Sequence, residues 1–171
     1  MKSTTSNRWP RFTVASCLIL LLCYGGSVNV LRASSWNGIE PFKSRRADVL
    51  QILGKPVAES SSGTLRFNVA GGTVWVSFVD EKFVTTKKLR SEVVGTVLEV
   101  VLQHASSSDT PESMRLLKDR AFVRDDIQNG SVFRNPKEGI VYTFLDAKLR
   151  TTRFTFSEAQ FSHARRSGKL R

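Results

Sequence analysis

Cysteine is almost missing from this 171-residue chain: the only two, Cys17 and Cys23, fall within the first 23 positions. Whatever follows has no disulfide and no thiolate metal site, so a fold built there holds together by its core alone. Histidine is as scarce, His104 and His163 being the only two. That leaves little from which to assemble a metal centre or a nucleophile with its base. No acidic residue precedes Glu40, and no window has the composition of a long disordered tract.

The acid-free N-terminus places Lys2, Arg8 and Arg11 ahead of an uncharged run over residues 12–31. Its most apolar part, residues 14–24, gives way to Gly25, Gly26 and Ser27. That is the pattern of an export signal, with cleavage expected after Ser27. The same run is about 20 residues long, enough to span a bilayer with the basic residues held inside. Residues 1–33 are therefore read as a signal peptide or a retained N-terminal anchor. Either way the protein is expected to be exported, to the periplasm, the cell envelope or the medium, with membrane association through this segment.

Four of the 26 basic residues, Lys2, Arg8, Arg11 and Arg32, belong to that region, leaving 22 basic against 15 acidic residues, or +7, from Ala33 onward. Outside the cytoplasm such charge suits an anionic envelope surface or an acidic protein, and nucleic acid is not an expected partner.

The segment PFKSRRADVLQILGKP, residues 41–56, reads as a short helix. Ser44 is expected to cap it, Asp48 to favour its N-terminus, and Gly54 and Pro56 to end it. Ala47, Val49, Leu50, Ile52 and Leu53 give it a broad apolar face that has to lie on something, since so short a helix is unstable alone. Next, TLRFNVA and TVWVSFV alternate apolar and polar residues on either side of Gly71-Gly72. A two-residue turn at those glycines would pair Val69 with Val74, Phe67 with Val76 and Leu65 with Phe78. A charged stretch, residues 80–92, leads to a central strand over residues 93–102, apolar on both faces.

The order then recurs. Residues 104–113 form a polar linker whose Thr110-Pro111 marks a second helix with Met114, Leu116 and Leu117 on its apolar face. After a strand near Phe122 and a turn at Asn129-Gly130, GIVYTFL and RTTRFTF form a second hairpin. A three-residue loop, Ala147, Lys148 and Leu149, would pair Tyr142 with Phe154 and Ile140 with Phe156. The expected fold class is thus α+β, short helices packed on antiparallel sheet. Its units are either two in tandem, at residues 34–103 and 114–160 with a basic tail at 161–171, or one sheet of five or six strands.

Ser44-Arg45-Arg46-Ala47-Asp48-Val49 with Gly54 and Pro56 resembles the start of the SmpA/OmlA (BamE-like) envelope domain. The repeated arrangement is similar to the two side-by-side units of the beta-lactamase inhibitor protein family. Trp36-Asn37-Gly38-Ile39 and Glu138-Gly139-Ile140-Val141-Tyr142 resemble uncharacterised secreted proteins of acidobacterial type. The likeness spans most of residues 36–156 and implies fold more than function. BamE-like proteins carry a lipid-bearing cysteine, and neither Cys17 nor Cys23 is placed for one.

No catalytic set emerges from the residues. His104 lies among Ser106, Ser107, Ser108 and Asp109 in the linker. Asp125-Asp126 begins a calcium-loop-like stretch that fails at Ile127 and Pro136. The pairs Asp80-Glu81 and Asp125-Asp126 read as turn charges. No cofactor and no metal are expected. The candidate partner-binding residues are two aromatics, Trp36 and Trp75, with the basic residues Lys87, Lys88, Arg90, Arg165, Arg166, Lys169 and Arg171. The function expected is a non-enzymatic exported binding module for a protein or an anionic envelope surface. A small secreted hydrolase and a membrane-tethered accessory subunit are the alternatives.

Overall fold

Strand-forming alternation governs this chain more than helical periodicity does. The computed structural model describes residues 34–165; the expected leader with Cys17 and Cys23, and the tail residues Arg166, Lys169 and Arg171, lie outside them. The described residues form eight strands: β1 (Ala58–Glu59), β2 (Leu65–Val69), β3 (Gly72–Phe78), β4 (Val97–His104), β5 (Val123–Ile127), β6 (Gly130–Asn135), β7 (Ile140–Leu145) and β8 (Lys148–Thr155). All eight belong to one antiparallel sheet in the order β1-β2-β3-β4-β8-β7-β6-β5. The described helices are α1 (Arg46–Leu53), α2 (Glu81–Lys87) and α3 (Glu158–Ala164).

This corrects the α+β expectation, whether as tandem units or as a sheet of five or six strands: the protein is mainly β, a single eight-stranded sheet with three short helices. The second expected helix is not one. Thr110 and Ser113 exchange hydrogen bonds as a helix start would, but Arg115 adopts a left-handed conformation, φ 58°. Only a 3₁₀ turn, Leu116–Lys118, follows. With no α-helix after Thr110-Pro111 the halves share strand order alone.

Both hairpins differ in register from expectation. In the first, Phe67 faces Val74 and Leu65 faces Val76, so the turn is Ala70-Gly71 and Gly72 already belongs to β3. The slip is two residues, which keeps every apolar side chain on its face. Gly71 takes the positive φ, 85°, and Gly72 serves a different need: a Cβ there would meet the carbonyl oxygen of Gln103 on β4. In the second hairpin the loop is Asp146-Ala147, both with positive φ. Tyr142 faces Thr152, and the register shifts beside Thr143 and Phe144. The bulge lets a tight turn coexist with the apolar pairing of Ile140 with Phe154.

One sheet face carries the core. Leu65, Phe67, Val74, Val76, Val97 and Val100 are buried there beneath Val49 of α1 and Ile39, with Trp36, Leu50 and Leu53 against the margin. Each such side chain contributes about 1.5–3 kcal/mol on burial. The apolar face of α1 is narrower than expected, since Ala47 and Ile52 are exposed. Ser44 does not cap the helix: its hydroxyl accepts from the Glu40 N–H at 2.9 Å, and Arg45 is the N-cap, donating its N–H to Asp48 at 2.7 Å. Across the seam, Leu116 lies on Phe133, Phe144 and Leu149, with Phe122 stacked on Tyr142 at 5.7 Å.

Candidate functional site

The charged stretch ahead of β4 folds as α2. Asp80 caps it, accepting from the Phe83 N–H at 2.6 Å, and Lys87 lies in its last turn, where the helix dipole favours a cation. Lys88 turns the chain in a left-handed conformation, φ 54°. Near the far end of the sequence Ser157 and Gln160 form a reciprocal cap that starts α3, which runs across residue 161, the expected start of the basic tail.

These two helices meet at the end of the sheet where the central strands β3 and β8 finish. Val79, Val84, Leu89, Val93 and Ala164 form the buried centre of the contact. Phe42 stacks on Phe156 at 4.5 Å, and Phe156 on Phe161 at 5.2 Å. Gln160 fastens α3 to the N-terminal segment, donating to the Pro41 carbonyl at 2.8 Å.

The backbone joins there as well. Leu89 forms an isolated bridge with Arg165, and the Arg90 N–H donates to the Ala164 carbonyl at 2.8 Å. Two basic stretches about 75 positions apart in the sequence therefore lie alongside each other: Lys87, Lys88 and Arg90 on one strand of chain, Arg165 on the other. Among the described residues none of these four forms an ion pair. Arg165 instead lies over the Phe161 ring at 5.1 Å. Arg166, Lys169 and Arg171 follow it in sequence.

The two aromatic candidates lie elsewhere and apart. Trp36 is half-buried against the core below α1 and bridges to Ile39. Trp75 lies on the opposite sheet face, with the Arg66 guanidinium 5.5 Å above its indole. Its neighbour in register across the sheet is Val101, which in turn faces Arg153.

His104 finds a hydroxyl after all. Its Nε2 is 2.9 Å from Oγ1 of Thr152 across the central seam. Burial pushes its pKa down, opposed by the nearby Asp109 carboxylate. Yet Thr152 is buried, and Asp109 binds Ser107 within its own loop. The contact ties a half-buried histidine at the end of β4 to a buried hydroxyl on β8. Asp125 and Asp126, expected in a turn, lie in β5 on opposite faces, paired with Arg134 and Arg124 respectively. Asp80 is occupied as the α2 cap. Among the described residues no group of three or more His, Cys, Asp or Glu could hold a metal ion. Nor is any described helix long and apolar enough to cross a membrane.

No family model, no curated protein and no solved structure matches the chain.

Proposed function

We propose that this chain is an exported, non-enzymatic binding module that engages an anionic surface of the cell envelope through the basic cluster at the ends of α2 and α3. The observation that carries this reading is the Leu89–Arg165 bridge, which merges two weak charge runs into one patch. A Lys or Arg near an anionic membrane contributes about 1 kcal/mol. The four clustered residues supply about 4 kcal/mol, roughly millimolar affinity. The three basic residues that follow Arg165 raise this to about 7 kcal/mol, roughly 10 µM. The basic, acid-free leader and the likeness of residues 44–56 to BamE-like envelope domains point the same way.

A protein partner is the second reading, favoured by Trp75 beneath Arg66, the two residue types most often dominant in interfaces. Sedimentation of the full chain with phosphatidylglycerol-containing vesicles, compared with purely zwitterionic ones, tests the first reading. The triple variant Lys87→Ala, Lys88→Ala, Arg165→Ala is expected to bind the anionic vesicles roughly 100-fold more weakly. The wild type is expected to release them in high salt. Equal binding to both vesicle types, unchanged in the variant, would refute the surface role of this cluster.

A further inference from the structure

Strand β5 is the outer strand on one side of the sheet, and all five of its residues, VRDDI, are exposed. Val123 and Ile127 are 57% and 42% exposed, high values for apolar strand residues. The other outer strand, β1, has only two residues. Natural edges are kept short or guarded by charge, because a free row of N–H and C=O groups pairs with any compatible strand. β1 is short; β5 is not, and its charges have a particular order.

The backbone limits how β5 can pair. Ile127 and Gly130 close a two-residue turn, which makes them a hydrogen-bonded pair. By alternation Val123, Asp125 and Ile127 direct their N–H and C=O groups toward β6. Arg124 and Asp126 direct theirs outward. An antiparallel partner strand must therefore pair through residues 124 and 126.

For a second copy of the same strand this leaves three registers. Arg124 against Arg124 and Asp126 against Asp126 each oppose like charges. The third, centred on Asp125, sets Arg124 against Asp126 of the other copy twice over, joining the Arg124–Asp126 pair already formed within each chain into one cluster of alternating sign, with four backbone hydrogen bonds. It also sets Val123 against Ile127 on the other face. The two Asp125 carboxylates meet at the symmetry axis, but each is already held by Arg134 of its own chain. The strand thus complements its own reversed copy in charge, apolar contact and hydrogen-bonding direction at once.

We propose that two copies of this chain associate through β5, antiparallel and centred on Asp125, into one sixteen-stranded sheet. The occupant of the edge is a second copy, and the two-fold relation closes the assembly at a dimer. The α2–α3 basic cluster takes no part in this contact, so the proposal stands apart from the binding function above.

Disulfide trapping tests it in the full chain, held in mild detergent, with Cys17→Ser and Cys23→Ser so that an introduced thiol is unique. Residues facing across a non-hydrogen-bonded antiparallel pair have Cα atoms about 4.5 Å apart, within disulfide range. Asp125→Cys is expected to give a covalent dimer under mild oxidation. Val123→Cys, four positions out of register with its own copy, is expected to give none. Asp126→Pro removes an outward N–H while leaving the β6 ladder intact. It is expected to shift the sedimenting species of the parent chain from dimer to monomer with an unchanged circular dichroism spectrum. A parent chain that sediments as a monomer, equal trapping at positions 123 and 125, or a dimer that survives Asp126→Pro would each overturn the proposal. The last two would transfer the contact to another surface.

Discussion

His104 shows how far a single residue's role depends on its surroundings. In the sequence it belongs to a polar linker; in the structure it is the last residue of β4 and leans on Thr152. Its folded pKa is lowered chiefly by burial, so the folded state binds a proton less readily than the unfolded chain does. The stability is then fully present above the unfolded value, about 6.5, and is lost as pH falls through the lower folded value. Urea titrations at pH 7.5 and 5 are expected to show a loss on acidification that His104→Gln reduces, the amide retaining a partner for Thr152. Equal losses in both proteins would remove His104 as the cause. Residue types alone disclosed the scarcity of reactive groups; the Thr152 contact, 48 positions away, had no signal in the sequence.

At the scale of elements, the β2–β3 hairpin was legible as a hairpin and illegible in detail. Alternation settles which face each side chain takes, and a slip of two residues leaves that face unchanged, so apolar pattern cannot choose between the two registers. The choice is made by β4, whose backbone comes so close at Gln103 that the strand must begin with a glycine. Gly72→Ala is accordingly expected to cost on the order of 2 kcal/mol or more, by forcing β3 and β4 apart. Gly71→Ala, strained only in its own φ, is expected to cost about 1–2 kcal/mol. Urea midpoints of the two variants check the order, and a milder effect at Gly72 would show that the seam can give. The helices α2 and α3 leave little trace in the sequence because each has seven residues and no long apolar stripe. Their caps, Asp80 ahead of Glu81 and Ser157 ahead of Gln160, were the available signal. Arg115 defeated the opposite expectation after Thr110-Pro111. The junction of α2 and α3 is equally silent in the sequence, where the basic stretches are separate runs.

On the scale of the whole molecule, β4 and β8 lie side by side, each the last strand of its half. Four consecutive strands lie on either side of that seam, and no residue pattern within either set says that β4 and β8 close on each other. That seam pairs Glu99 with Thr155 and Gln103 with Thr151, so neither half has a finished sheet without the other. Unfolding is expected to be a single cooperative transition. Both described tryptophans lie in the first half and four strands lie in the second. Tryptophan fluorescence and far-ultraviolet circular dichroism should therefore report the same urea midpoint, and separated midpoints would mean that the halves melt independently.

The seam also sets a timetable. A polypeptide made from its N-terminus completes β4 some 50 residues before the partner strand exists, and through that interval the future middle of the sheet is a naked border. Contacts so distant along the chain form slowly, and an unpaired border in a nascent chain invites aggregation. The protein's exposure to misassembly is therefore concentrated in its synthesis, and a chaperone or a delay in release would act chiefly by shielding β4 until β8 arrives.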